Sequence, residues 1–153
     1  MFKLDTIDKK LLQLLQEDSK RTNKELSHHL NLSVTAVFER IKRLEKEKVI
    51  TRYVALIDKE KVKKPFMVFC HIKLVQHSKE FLTKFELQVK KLDEVTECYH
   101  VSGDYDYILK VYVEDMVAYR EFMITKLTTL QHIGSTHSTF MIGEVKNTTA
   151  ITI

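Results

Sequence analysis

Basic and polar side chains crowd one stretch of this sequence, residues 33–46, and their types suit hydrogen bonding to a polyanion. An apolar set within the stretch recurs at helical spacing and predicts an amphipathic helix: Val34, Val37, Phe38, Ile41 and Leu44. The opposite face of that helix carries Thr35, Ala36, Glu39, Arg43 and Lys46. Basic groups bind phosphates and short polar side chains read base edges, so this face predicts contact with DNA.

The residues of this stretch are expected to have different roles on the duplex. Thr35, Ala36 and Glu39 would reach bases in the major groove, with Arg40 and Arg43 close behind. Glu39 could accept a hydrogen bond from a cytosine amino group or could orient an arginine, and both roles stay open. The other predicted DNA-binding residues are Lys24, Lys42 and Lys46 on the phosphate backbone and Ser33 at the helix cap.

A second candidate site is the turn formed by Gly103, Asp104, Tyr105 and Asp106. A zwitterionic amino acid needs an acceptor for its ammonium group and donors for its carboxylate, and this turn offers carboxylates beside backbone N–H groups. Gly103 also permits a left-handed conformation or a close backbone approach. By itself, the segment is more typical of an ordinary hairpin turn than of a ligand site.

Other reactive side chains form no comparable pattern. His28 and His29 are adjacent on a predicted helix and cannot share a face. Cys98 and His100 alternate onto one strand face, but two ligands are too few for a zinc site. Both cysteines, Cys70 and Cys98, fall in apolar runs and are expected to be buried free thiols in a reducing compartment. We therefore predict no metal, cofactor or catalytic residue.

Charge is distributed unevenly along the chain. Residues 1–64 hold 16 Lys and Arg against 10 Asp and Glu, whereas residues 65–153 hold 9 against 11. The basic first part suits a polyanionic partner, although a solvated basic surface is the plainer interpretation. The sequence shows no signal-peptide pattern and no apolar run of bilayer length, so we expect a soluble, cytoplasmic protein without membrane contact.

The basic face requires a supporting fold, and residues 1–50 predict a helix-turn-helix domain. A first helix is expected to begin at Asp5 and to turn an apolar side inward. Thr22 and Glu25 have the spacing of a capping box at the start of a second helix. Asn31 suits the left-handed position that ends that helix, and Ser33 can cap the third. A short helix, a tight turn and a polar-faced helix are typical of DNA-reading units.

Residues 51–65 are predicted to form a β segment and linker. Val49–Ile50 and Tyr53–Ile57 have the composition of short strands, which would make the DNA-binding domain winged. The charged run that follows Asp58 ends at Pro65, the only proline, and marks the domain boundary.

From Phe66 the apolar period changes to two, and residues 66–153 predict the order β-α-β-β-α-β. Strands are expected near 66–74, 95–102, 105–113 and 135–145, with helices at 78–91 and 116–130. This order is the ferredoxin-like arrangement, which makes the whole an α+β protein. The sheet face away from the helices carries Met67 and Phe69, so we expect a second copy of the chain to cover it.

Motifs along nearly the whole chain resemble those of the leucine-responsive regulatory protein/asparagine regulator (Lrp/AsnC) family. They are Leu4-Asp5-x-Ile7-Asp8, Asn23-x-Glu25-Leu26-Ser27, Leu32-Ser33, residues 38–45, residues 97–107 and Glu144-Val145-Lys146-x-Thr148-Thr149. Three positions depart from the family pattern. Val34 replaces a usual proline, and Asn31 and Lys48 replace usual glycines, which leaves DNA binding intact but could alter operator preference.

The resemblance implies a transcription regulator that binds double-stranded DNA and responds to an amino acid or related metabolite. It also implies a homodimer that assembles into an octamer as a ring of dimers, with the effector cleft between subunits of neighbouring dimers. The matching effector positions, beside the turn at 103–106, are His100, Asp106, Met116, Thr139, Phe140 and Met141. His100 stands where leucine-sensing relatives have an apolar residue, which indicates either a more polar effector or a structural histidine.

Two other function classes stay open at this point. Siroheme decarboxylase subunits resemble the same family, so an enzyme subunit on this fold is the alternative. The ferredoxin-like sheet is also the scaffold of the RNA-recognition motif. That motif's aromatic signature on the central strands is absent here, and the second domain is net acidic.

Overall fold

A computed structural model describes residues 3–153 as two compact units. The first unit runs to Leu56 and also includes residues 145–153, and the second spans Ile57–Glu144. The chain therefore returns to its first unit at the C-terminal end. There the side-chain amide of Gln16 donates to the Ile151 carbonyl at 3.0 Å, and its oxygen accepts from the Ile151 N–H at 2.7 Å.

The first unit contains three helices, α1 (Thr6–Glu17), α2 (Asn23–Leu30) and α3 (Val34–Lys46). Their starts are fixed by side-chain caps, because the first N–H groups of a helix lack intrahelical partners. Capping boxes form between Asp5 and Asp8 and between Thr22 and Glu25, and the Ser33 hydroxyl accepts from the Ala36 N–H. Asn31 holds the left-handed conformation with φ of 53°. The predicted starts of the three helices and the predicted end of α2 at Asn31 are confirmed.

The apolar stripe of α3 is narrower than the sequence predicts. Val37 and Leu44 are fully buried in one core with Leu11 and Leu26, and Ile41 packs against that core. The other two members of the stripe, Val34 and Phe38, are 47% and 41% exposed. Neither belongs to the core. A unit of three short helices is small, so its core covers only part of the α3 surface.

Residues 49–57, which include the β segments predicted at Val49–Ile50 and Tyr53–Ile57, contain no strand within the single chain. A strand needs a neighbour to pair its backbone groups, and no neighbouring strand lies here within residues 3–153. Of this segment only Ile50 packs against the helical core. The chain leaves α3 through Lys48, whose φ of 55° is left-handed.

The second unit is a four-stranded sheet with two helices. Its elements are β1 (Phe66–Leu74), α4 (Lys79–Val89), β2 (Val95–His100), β3 (Tyr107–Val113), α5 (Met116–Thr125), a 3-10 turn (Leu127–Thr129) and β4 (Ile133–Phe140). The strand order is β2-β3-β1-β4, and all neighbours are antiparallel. The ferredoxin-like prediction is confirmed, although β4 ends at Phe140 rather than Val145 and β3 begins at Tyr107.

Both helices cover one face of this sheet. Val68, Cys70, Ile72 and Leu74 alternate along β1 into a core shared with Phe85 of α4 and with Tyr119 and Phe122 of α5. On the other face Met67 is 6% exposed and Phe69 is 37% exposed. The prediction of two buried thiols is half wrong, since Cys70 is buried but Cys98 is exposed. Cys98 lies on β2, an edge strand with a neighbour on one side only.

No helix within residues 3–153 combines the length and apolar character that a membrane crossing requires.

Candidate DNA-binding surface and effector site

A buried carboxylate fixes the recognition helix α3 against α1. The side chain of Asp8 is only 1% exposed, and Arg43 Nη2 donates to both of its oxygens at 2.7 Å. Arg40 Nη1 donates to Asp8 Oδ1 and to Asp5 Oδ2, each at 2.7 Å. The Asp8 N–H and the Arg40 guanidinium together hold the pKa of Asp5 below its ordinary value. We call Asp5, Asp8, Arg40 and Arg43 the carboxylate–arginine cluster.

This cluster gives Arg40 and Arg43 different roles, although the sequence predicted the same role for both, close behind the base-reading residues. The Arg40 side chain is 24% exposed and spans both carboxylates, so its guanidinium is largely committed to the fold. The Arg43 side chain is 45% exposed and keeps part of its surface in solvent. The sequence contained a signal for the cluster, because two acids three residues apart on α1 match two arginines three residues apart on α3.

The remaining predicted DNA-contacting residues surround the start and outer side of α3. Lys24, Thr35, Glu39, Lys42 and Lys46 are exposed, and Ala36 is partly buried. Ser33 is exposed, and its hydroxyl is used to cap the helix. The Lys42 ammonium lies 4.6 Å from the centroid of the exposed Phe38 ring, a cation–π distance. An apolar ring therefore lies directly beside the basic side chain.

The turn at 103–106 is a shaped loop rather than a tight hairpin. Gly103 has a φ of 122°, which side chains with a Cβ rarely adopt, and a Cβ there would meet no neighbouring atom. Glycine is therefore required by the backbone conformation and not by crowding. Asp104 is exposed and forms no ion pair or hydrogen bond within residues 3–153, so its carboxylate is available to a ligand.

Asp106 is already engaged within the fold. Its N–H donates to the Ile72 carbonyl at 2.8 Å, and its Oδ2 accepts from the Leu74 N–H at 2.7 Å. His77 Nε2 lies 2.8 Å from Oδ1. Burial disfavours the charged form, but the Leu74 N–H and His77 outweigh it and lower the pKa of Asp106. This carboxylate shapes the loop and is a poorer candidate than Asp104 for binding an ammonium group.

The predicted effector residues do not form one cluster within a single chain. The turn at 103–106 lies beside Leu74, whereas Phe140 pairs with Val68 at the opposite end of β1. Six residues of strand separate these positions, which corresponds to about 20 Å. Met141 and Met116 lie at the Phe140 end, since the Met141 N–H donates to the Met67 carbonyl and Met116 follows the end of β3.

Two of the predicted residues meet through a histidine on the open face of the sheet. The ring centroid of Tyr105 lies 5.1 Å from that of His71 and 6.1 Å from that of His137. Thr139 Oγ1 lies 3.3 Å from His71 Nε2. Sequence reasoning missed His71 and His137, although period-two alternation places His71 on this face.

His100 lies on the helix-covered face at the edge of the sheet. Its ring stacks on Tyr107 with centroids 4.6 Å apart, and the Tyr107 hydroxyl donates to Glu86 Oε1 at 2.8 Å. Burial, followed by the Glu86 carboxylate, raises the pKa of Tyr107. His100 also lines a cavity between α4 and β2 whose other residues were not predicted as functional. In the described part of the chain, no three His, Cys, Asp or Glu side chains are grouped to hold a metal ion.

Comparison with protein-family models gives two matches, one in each half of the chain. Residues 4–51 match a winged helix-turn-helix DNA-binding domain, and residues 67–151 match the Lrp/AsnC ligand-binding domain.

Curated relatives match over nearly the full chain. The leucine-responsive regulatory protein of Haemophilus influenzae is 41% identical over 145 residues, which cover 95% of this chain and 87% of the relative. The protein of the same name from Escherichia coli K12 is 37% identical over 150 residues, covering 98% and 92%.

Solved structures agree with the sequence comparison. A transcriptional regulator from Neisseria meningitidis, determined as an L-Met complex, superposes with a TM-score of 0.93 at 32% identity over 97% of this chain and 96% of its own. An AsnC family regulator from Agrobacterium tumefaciens gives a TM-score of 0.92 at 38% identity, with the same coverage.

Proposed function

The chain belongs to the Lrp/AsnC family of transcription regulators, and from this premise we propose which of its residues bind DNA and where its effector binds. The protein has a helix-turn-helix DNA-binding domain and an amino-acid-binding domain. We propose that the exposed face of α3 enters the major groove and that the occupied ligand domain changes either assembly or DNA affinity.

The observation that carries the DNA-binding proposal is the carboxylate–arginine cluster, which holds α3 in one orientation. Asp8 anchors Arg43 so that the exposed part of its guanidinium reaches a phosphate, while Thr35, Ala36 and Glu39 face the bases. Lys24, Lys42 and Lys46 add phosphate contacts, and Ser33 fixes the helix start. Arg40 acts mainly within the fold, because two carboxylates occupy its guanidinium.

We further propose that the effector cleft is completed by two copies of the chain. The 20 Å separation along β1 supports this arrangement, since the turn at 103–106 and the Met116, Phe140 and Met141 group lie too far apart for one small ligand. Asp104 would accept from the ligand ammonium group, and Gly103 would let backbone N–H groups approach its carboxylate. The assembly is a homodimer, with dimers joined into an octameric ring.

L-methionine is the first effector to test, because a relative with 32% identity was solved as an L-Met complex.

Selection of duplexes from a random pool tests the DNA-binding proposal. We expect a partly palindromic consensus with half-sites one helical turn apart, bound more tightly than single-stranded RNA of the same length. Thr35→Ala and Glu39→Gln should change the selected bases, whereas Lys91→Met, on the ligand domain, should not. Selection of no consensus, together with equal RNA binding, would overturn the proposal.

The sensing proposal is tested by titrating the DNA complex with L-methionine and with the other common amino acids. We expect at least one of them to change the DNA affinity or the sedimentation coefficient, and Asp104→Ala to abolish that response. If no amino acid at millimolar concentration changes either quantity, the sensing role is wrong while the DNA-binding role stands.

We infer a regulator rather than an enzyme, in keeping with the family to which the chain belongs. The siroheme-decarboxylase alternative predicts haem-dependent colour in purified preparations and substrate turnover. Either result would favour that alternative.

A further inference from the structure

A cavity of about 500 Å³ lies between α4 and the edge strand β2, and none of the residues that line it belongs to the turn at 103–106 or to the Met116 group. Its volume falls in the range of small-molecule sites, about 300–1,000 Å³. Val89, Val95 and Tyr107 give it an apolar lining, and Cys98 and His100 of β2 border it. Of the predicted effector residues, it includes only His100.

The cavity exists because α4 covers the middle of the sheet more completely than its edge. Phe85 and Val89 of α4 pack into the core over β1 and β3, while most of β2 stays exposed or partly buried. The helix-side surface of β2 therefore faces α4 across an open space instead of a packed interface.

Two opposite charges lie beside each other on the helical side of this cavity. Glu86 and Lys90 are four residues apart on the same face, which places their Cβ atoms about 6 Å apart. They form no ion pair with each other, and Lys90 has no ion-pair partner within residues 3–153. One Glu86 oxygen accepts from the Tyr107 hydroxyl, and the other forms no hydrogen bond in this part of the chain.

Two other ionisable groups around the cavity, Glu97 and Cys98, contribute no net charge to a ligand. Glu97 lines it, but its carboxylate accepts from Lys110 Nζ at 2.9 Å and from the Tyr99 hydroxyl at 2.7 Å. Partial desolvation of the thiol and the Glu86 charge raise the pKa of Cys98 to about 11, so the thiol is neutral at physiological pH. The site thus offers one hydrogen-bond acceptor, on Glu86, and one cation, on Lys90, next to each other and beside an apolar lining.

We propose that this cavity binds a free amino acid with an apolar side chain, as a site separate from the cleft between subunits. The ligand ammonium group meets the second oxygen of Glu86, and its carboxylate meets the Lys90 ammonium. Adjacent opposite charges suit the α-ammonium and α-carboxylate, which are carried on one carbon. The side chain then packs on Val89, Val95 and the stacked His100–Tyr107 pair. The site goes beyond the proposed effector cleft and does not depend on it.

Cys98 gives a direct readout of occupancy, because the chain has two cysteines and Cys70 is buried. Alkylation by iodoacetamide at mildly alkaline pH, followed by mass spectrometry, measures access to the Cys98 thiol. We expect L-leucine to slow this alkylation several-fold, and both its amine analogue isopentylamine and its acid analogue 4-methylpentanoate to protect far less. Equal protection by either analogue would contradict zwitterion recognition.

Matched variants connect the protection to the named charges. Lys90→Met and Glu86→Gln should abolish protection and weaken L-leucine binding at least tenfold by calorimetry. Lys91→Met is the control, since Lys91 is exposed, adjacent in sequence and outside the cavity. Glu86→Gln keeps an acceptor for the Tyr107 hydroxyl and so spares the fold.

The outcomes separate this site from the proposed sensing function. If no amino acid protects Cys98 but one still changes DNA affinity, the cavity proposal is wrong and the sensing function stands. If L-leucine protects Cys98 but no amino acid changes DNA affinity or assembly, the cavity binds its ligand and the sensing function is wrong.

Discussion

At the scale of single residues, the Asp8 carboxylate has the largest expected effect on the DNA-binding unit. It is buried and receives hydrogen bonds from two guanidinium groups that come from a different helix. A buried carboxylate with such partners is stabilising only while all of them are present. Its replacement therefore tests whether the orientation of α3 depends on this contact.

We predict that Asp8→Asn lowers the free energy of unfolding of this unit by about 2 kcal/mol, less than for a fully buried pair because both arginines reach solvent. Urea denaturation followed by circular dichroism measures the loss. Asp18→Asn is the control, because Asp18 is exposed and an asparagine can still accept from the Lys20 N–H. Equal stability of the Asp8→Asn and unmodified proteins would contradict the proposed role of the cluster.

The two arginines of the cluster should differ in their effect on DNA. We predict that Arg43→Ala weakens binding to all duplexes and reduces the slope of log K against log salt concentration by about 1, as loss of one phosphate contact requires. Arg40→Ala should leave that slope nearly unchanged, because its charge is offset by Asp5 and Asp8. Fluorescence anisotropy over a salt series, below the melting range of both variants, measures the slopes. An identical slope change for both would show that the fold does not distinguish them.

At the scale of elements, helix starts and strand alternation were readable from sequence because they depend on near neighbours. The Thr22–Glu25 capping box, the Asn31 left-handed end and the alternation along β1 are all confirmed. The missing wing strands and the exposed Val34 and Phe38 were not readable, because both depend on which distant surfaces are available for pairing or burial. The separation of the effector residues depends on strand register, which local pattern does not specify.

The end of α3 allows a stabilising change to be predicted. Lys48 has a φ of 55°, a conformation that costs a residue with a Cβ about 1 kcal/mol and costs glycine little. We therefore expect Lys48→Gly to raise the free energy of unfolding of the helical unit by about 1 kcal/mol. Lys42→Gly, inside the helix, should lower it by about the same amount. Thermal melts of both variants measure the two changes in stability. If both variants are destabilised, Lys48 does not hold a left-handed conformation.

At the scale of the whole molecule, the effector proposal makes sensing a property of the assembly. Asp104 and Met116 belong to the two groups of effector residues that lie at opposite ends of β1, and both side chains are exposed. Substitution at either position can therefore remove half of a cleft without disturbing the core of its own chain.

We predict that Asp104→Ala and Met116→Asp each abolish the response to effector, and that mixing the two variants restores part of it. In a mixed assembly some clefts receive the intact turn from one copy and the intact Met116 group from another. Effector-dependent DNA binding measured after subunit exchange tests this expectation. The control is each variant taken alone through the same exchange. If the mixture shows no recovery, the turn and the Met116 group of one cleft come from the same chain.

The return of residues 145–153 to the first unit has a mechanical consequence. The second crossing between the units is held at its far end by the paired hydrogen bonds of Gln16 and Ile151, both exposed. Each bond contributes about 1 kcal/mol. If these two bonds alone held residues 145–153, that segment would be detached a few per cent of the time. Amide hydrogen exchange at Ile151 should then be far faster than at Leu44 and faster still in Gln16→Ala. We therefore expect thermal motion alone to detach residues 145–153 from the first unit and to let them bind there again.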